Sequence, residues 1–124
     1  MTGKSDFVSD GRRTICIDNG HELLAAVTGT GCTLGTTISA MLGANLAARD
    51  SSAEPRHTGD ALLSTVAGLL LFEVAAEMAA VRNEVRGPGT FVPAFIDELF
   101  SIRQATLVGD LRWLTLVKLH TVLK

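Results

Sequence analysis

Tyrosine is missing from the chain, and the other aromatics are few, five Phe and one Trp. The interior must therefore be built from small and aliphatic side chains packed closely. A basic excess is missing too: eleven Lys+Arg stand against thirteen Asp+Glu, for a net charge of −2 and a pI near 5.8. That leaves no stripe for a phosphate backbone and no strong field toward an anionic membrane surface. Neither nucleic acid nor membrane is expected as a partner. Two cysteines, Cys16 and Cys32, cannot make a disulfide framework. The polar start, Met1-Thr2-Gly3-Lys4-Ser5-Asp6, lacks the apolar core of a signal peptide. Reduced thiols and a cytoplasmic location are expected. Nor is there a convincing membrane run: only twelve uncharged residues separate Asp60 from Glu73, and Glu77 follows. A span needs about 20 predominantly apolar residues, so 61–81 reads as a buried helix.

What is present is 124 residues at 13.1 kDa, one ordinary domain or a piece of a larger one. Hydrophobic residues make up 47% and charged ones 19%, enough apolar surface to offset the entropy of ordering. The start reads as a hairpin. Phe7-Val8-Ser9 and Thr14-Ile15-Cys16-Ile17 flank Asp10-Gly11-Arg12-Arg13, and Asp-Gly supplies a turn's positive φ. Asp18-Asn19-Gly20 ends the strand, and residues 21–26 form a loop or short helical turn. A helix is expected from about 32 to 48, with Leu34, Ile38, Met41, Leu42 and Leu46 near helical spacing. Residues 50–59 are turn formers and read as a surface loop. Thr58 is the expected N-cap of a long buried helix from 59 to about 82, with Asp60 in its first turn. Arg86-Gly87-Pro88-Gly89 stops the chain, and Thr90 is expected to cap a shorter helix through Ile96 and Leu99. For 102–124 the pattern does not choose between helix and strand. A hairpin needs a further strand or a packed helix to be stable, and no central strand stands beside this one. The chain reads as part of a larger α/β layer structure.

Gly29-Thr30-Gly31-Cys32 lies where a loop enters a helix. Unpaired backbone N–H groups and the helix dipole make that position an anion site, and glycines let a ligand approach the backbone. Thr28 and Thr30 could add hydroxyl donors, and a helix N-terminus favours the thiolate form of a cysteine. The same residues also fit a glycine-rich helix entry with a small buried Cys. Neither common nucleotide motif applies. The third glycine of G-x-G-x-x-G comes one residue late, at Gly35, and Gly3-Lys4-Ser5 precedes a hairpin rather than a helix. Glu73 and Glu77, four apart, read as a solvated or ion-paired face. His21, His57 and His120 have no metal-ligand spacing with Cys or with one another. His21 is expected to pack near the anion loop, with the other two exposed. Gly87-Pro88-Gly89 reads as a structural turn, and Trp113 with Leu111, Leu114 and Leu116 as a packing patch.

Val27-Thr28-Gly29-Thr30-Gly31-Cys32, preceded by Asp18-Asn19-Gly20-His21 and followed by Arg86-Gly87-Pro88-Gly89-Thr90-Phe91, resembles the hydroxyethylthiazole kinase family of thiamine biosynthesis. The likeness starts at Thr2-Gly3 and Asp6-Phe7-Val8-Ser9-Asp10-Gly11 and runs to about Phe100. From Ile102-Arg103-Gln104 through Trp113 the chain resembles the C-terminal end of fungal enzymes that fuse this kinase behind a thiamine-phosphate synthase. The resemblance implies a partial ribokinase-like α/β fold, an N-terminal β-hairpin followed mostly by helices. It implies ATP- and Mg²⁺-dependent phosphorylation of the hydroxyl of 4-methyl-5-(2-hydroxyethyl)thiazole, and a homotrimer. Gly29 matches the family's thiazole-contacting glycine and Thr2 a residue that contacts ATP. Cys32, with Thr30 and Gly31, matches the catalytic loop, at the position where most ribokinase-like enzymes carry an aspartate. Family members have about twice this many residues, so 1–124 is expected to be the C-terminal part of the kinase domain and inactive alone. A dead half-domain that docks on intact kinase subunits is the competing reading. A thiol enzyme using Cys32 lacks a base-and-orienter set beyond His21.

Overall fold

The computed structural model describes residues 4–50 and 60–123. Strands β1 (Asp6–Ser9) and β2 (Thr14–Ile17) form the expected antiparallel hairpin, in register from Asp6↔Ile17 to Ser9↔Thr14. Local chemistry sets the turn. Gly11 takes φ 86°, and Asp10 Oδ1 accepts from the N–H groups of Arg12 at 2.9 Å and Arg13 at 2.7 Å. Those backbone donors, with the Arg13 guanidinium, hold the Asp10 carboxyl far below the usual range. Arg13 also pairs with Asp60, joining the hairpin to the start of a helix.

Three helices follow: α1 (Thr30–Asp50), α2 (Ala61–Ala80) and α3 (Pro88–Leu107). Helix α2 packs against both of the others. By length and a mean hydropathy of 1.7 it could cross a membrane, yet eleven of its twenty residues are buried within this fold. It is the core helix that the sequence suggests. Phe72 meets Phe95 edge-on at 4.8 Å, and Phe95 stacks on Phe91 at 5.5 Å. On the other side Val66, Leu69 and Leu70 receive Ile17, with Val8 and Ile15 at the margin.

The boundaries differ from expectation in informative ways. Helix α1 starts at Thr30 rather than 32 and reaches Asp50. The N-cap of α2 is Asp60, whose carboxylate accepts from Leu62 N–H at 3.0 Å. Asp60 therefore caps the helix instead of sitting in its first turn; Thr58 and residues 51–59 lie outside the described residues. Gly87, not Thr90, is the N-cap of α3, with Pro88 at the first helical position, where a missing N–H costs nothing. The Thr90 hydroxyl closes that turn from inside, accepting from Arg86 N–H at 2.8 Å. Helix α3 continues through Pro93 to Leu107, well beyond Leu99.

The tail resolves into three states. After α3 comes a 3-10 turn (Arg112–Leu116) and then strand β3 (Leu119–Val122). β3 pairs antiparallel with β2 from Thr14↔Val122 to Ile17↔Leu119, giving the order β1-β2-β3. The hairpin thus has its further strand, supplied from the far end of the chain. Asn19 anchors it: buried, it donates to Leu116 O at 2.9 Å and accepts from Lys118 N–H at 2.7 Å.

Candidate active site

The loop before α1 is built for an exposed helix start. Gly29 has φ 97°, a left-handed conformation that side-chain-bearing residues rarely adopt. Thr33 N–H makes the first helical bond, to Gly29 O at 3.0 Å. The N–H groups of Thr30, Gly31 and Cys32 precede that bond and so have no acceptor inside the helix. Gly31 and Cys32 are exposed, and a Cβ placed on Gly31 would meet no atom within 4 Å. The Thr30 hydroxyl points inward, bonded to Leu24 O at 2.8 Å and Val27 O at 3.1 Å. It fixes the loop, leaving the Thr30 backbone N–H for a ligand. Cys32 is a free, exposed thiol and not the buried filler of the blander reading. Thr2 lies outside the described residues.

His21 Nδ1 accepts from Leu23 N–H at 3.2 Å, and its ring stacks on Phe91 at 6.5 Å. With that nitrogen committed, it is poorly placed to serve Cys32 as a base. The loop suits a phosphoryl group, whose oxygens the three N–H groups and the helix dipole would receive. It does not suit Mg²⁺. That ion wants oxygen ligands in near-ideal octahedral geometry, carboxylates prominent among them, and residues 28–33 (Thr-Gly-Thr-Gly-Cys-Thr) carry no carboxylate.

A cavity of about 510 Å³ opens nearby, lined among others by Asp6, Asp18, His21, Glu22 and Glu73. The two glutamates of α2 have different fates there. Glu77 is ion-paired as expected, accepting from Lys118 Nζ at 3.1 Å and Gly20 N–H at 3.0 Å. Glu73 is not solvated: it is fully buried, and neither carboxyl oxygen has a hydrogen-bond partner. Burial, then the nearby carboxyl of Asp6, then Glu77, push its pKa up to about 9. The signal was visible as a charged residue between Leu69-Leu70-Leu71-Phe72 and Val74-Ala75-Ala76. A helix buried on most of its circumference places such a residue inside the fold rather than on a solvated face.

Sheet and packed helices together make this a mixed α/β chain, with a glycine-led helix entry of the kind at which anions can bind. It belongs to the hydroxyethylthiazole kinase family, whose model matches residues 1–105. It is 45% identical over 100 residues, 81% of its length, to the hydroxyethylthiazole kinase of Pyrococcus furiosus. To a protein of Schizosaccharomyces pombe described as a probable thiamine biosynthetic bifunctional enzyme it is 34% identical over 126 residues, 97% of its length. The structure of a hydroxyethylthiazole kinase protein from Pyrococcus horikoshii matches with a TM-score of 0.69 at 34% identity, over 99% of this chain. The chain spans less than half of each: 22% of the fission-yeast protein, 32% of the P. furiosus enzyme and 40% of the P. horikoshii chain.

Proposed function

We propose that the chain is the C-terminal part of an ATP-dependent kinase that phosphorylates the hydroxyl of 4-methyl-5-(2-hydroxyethyl)thiazole. The carrying observation is the entry to α1, where Gly29 at φ 97° turns the chain so that residues 30–32 start an exposed helix. In this reading those three N–H groups cradle the transferred phosphoryl. Phosphoryl transfer asks mainly for positioning and charge stabilisation. Gly29 lies against the thiazole, Cys32 positions the acceptor hydroxyl or serves as a modest base, and Thr2 contacts ATP. Mg²⁺ is the metal of the reaction, held by residues other than 28–33. The complete enzyme is a cytoplasmic homotrimer.

Gly31→Val tests the cradle without confounding the fold, because the added side chain has open space. In the complete enzyme turnover should fall about a hundredfold or more, as for loss of preorganised donors. In the 124-residue chain, ATP should shift the amide resonances of residues 30–32, and the substitution should abolish the shift while the helical circular dichroism stays. Near-normal turnover, or amides that ATP does not move, would refute the assignment.

A second reading, a catalytically silent module that docks on intact kinase subunits, is favoured by exposed apolar side chains such as Phe7 at 65% and Leu107 at 66%. Co-migration with an intact kinase on a sizing column would support it, and separate elution would remove it.

A further inference from the structure

The face of the sheet turned away from α2 carries a cluster that plays no part in the phosphoryl reading. Ile17 points at Val66, Leu69 and Leu70, so the alternation of side chains along a strand sends Cys16 and Asp18 to the opposite face. The β2–β3 register sets His120 directly across from Cys16, and the backbone bond from Asp18 N–H to Lys118 O at 2.8 Å extends that ladder past the strand end. Three residues distant in sequence are thereby brought together by backbone pairing. Cys16 Sγ stands 3.7 Å from Asp18 Oδ1, His120 Nδ1 stands 3.5 Å from Asp18 Oδ2, and all three donor atoms lie within 4.8 Å of one another. Tetrahedral coordination with metal–ligand bonds of about 2.0–2.3 Å puts ligand atoms roughly 3.3–3.5 Å apart. Cys16 Sγ and His120 Nδ1 each stand within a few tenths of an ångström of that spacing from the Asp18 carboxylate, the first at Oδ1 and the second at Oδ2.

We propose that Cys16, Asp18 and His120 form a binding site for a zinc-like divalent transition-metal ion on the outer face of the β1-β2-β3 sheet. Thiolate and imidazole donors select ions of the zinc type over Mg²⁺ or Ca²⁺, which prefer all-oxygen shells. On binding, the metal replaces the thiol proton of Cys16, which passes to solvent. Asp18 and His120 are exposed while Cys16 is buried, so the ion enters from the solvent side and keeps a fourth position for water. The Ser5 hydroxyl, which donates to Asp18 Oδ1, orients that carboxylate from behind, as outer-shell partners of metal ligands do. The ion would join β2 to β3 side by side, clamping the chain end to the hairpin. None of this depends on the kinase reading.

The test is equilibrium dialysis of the reduced 124-residue chain against Zn²⁺, with Co²⁺ as a spectroscopic probe in parallel. One ion per chain should be retained, and the cobalt form should show a thiolate-to-metal charge-transfer band. His120→Ala, on an exposed strand residue, should weaken retention at least about tenfold, and Cys16→Ala should remove the charge-transfer band. Failure of the wild-type chain to retain metal overturns the proposal. So does retention that His120→Ala leaves unchanged, or a cobalt spectrum without a thiolate band. If Cys16→Ala proves unfolded, His120→Ala and the wild-type spectrum still decide the matter.

Discussion

Glu73 shows what a single carboxyl costs in an apolar helix. Neutralising it is far cheaper than burying a charge, and its pKa near 9 means that the folded chain holds it protonated at neutral pH. Unfolded, the same group ionises near its ordinary value of 4.5. Between those two values the folded state binds one proton more than the unfolded state. Stability therefore falls with rising pH across that window, by about 1.4 kcal/mol per pH unit from this group alone. Below 4.5 both states are protonated, and the group adds no pH dependence. Glu73→Gln keeps the shape and removes the titration. Urea unfolding of both proteins should give similar stabilities near pH 4.5 and a variant more stable by about 3 kcal/mol near pH 7. A difference that stays flat with pH would mean that Glu73 is ionised in the folded chain.

At the level of elements, legibility in the sequence followed locality. The hairpin was readable because its turn is four adjacent residues with an Asp-Gly pair. The entry to α1 was readable because glycines mark it within a short stretch. The core helix was readable from its apolar run. Strand β3 was not, since Leu119, His120 and Thr121 are exposed and only Val122 is half-buried, so no apolar alternation marks it. It pairs with β2, and Asn19, almost a hundred residues away, fixes the turn into it at Leu116 and Lys118; nothing local announces those contacts. The end of α3 was hidden because the residues after Leu99 mix polar and apolar side chains without a local stop until Gly109. The meeting of α1 with α2 was equally hidden, because Gly68 in an apolar run carries no pattern. A Cβ there would sit 3.2 Å from Ile38 Cα, so the helices approach closely at this glycine. Gly68→Ala gains about 1 kcal/mol of helix propensity against a shift of a few tenths of an ångström, and should be near neutral. Gly68→Val adds branching against backbone and should cost about 2 kcal/mol in thermal unfolding. A valine variant as stable as the parent would show that α1 does not seat on α2 at that point.

Across the whole molecule, burial is uneven in a way that bears on activity. Most of α2 is covered, as its apolar run suggests. Uncovered apolar surface remains around it: Phe7 on the sheet, Leu46 on α1, Leu63 on α2, and Ile96, Phe100 and Leu107 on α3 are all more than half exposed. The proposed phosphoryl loop stands at the start of α1 with Gly31 and Cys32 exposed, so water is not excluded from the point where charge would be transferred. Preorganised donors act strongly only where water is kept out. No carboxylate from residues 28–33 is at hand to hold the metal that such transfers use. The 124-residue chain, purified by itself, should therefore form no measurable thiazole phosphate from ATP and Mg²⁺. The same assay with a full-length hydroxyethylthiazole kinase should show clear turnover. Product formation by the chain, abolished by Gly31→Val, would demonstrate a self-sufficient site.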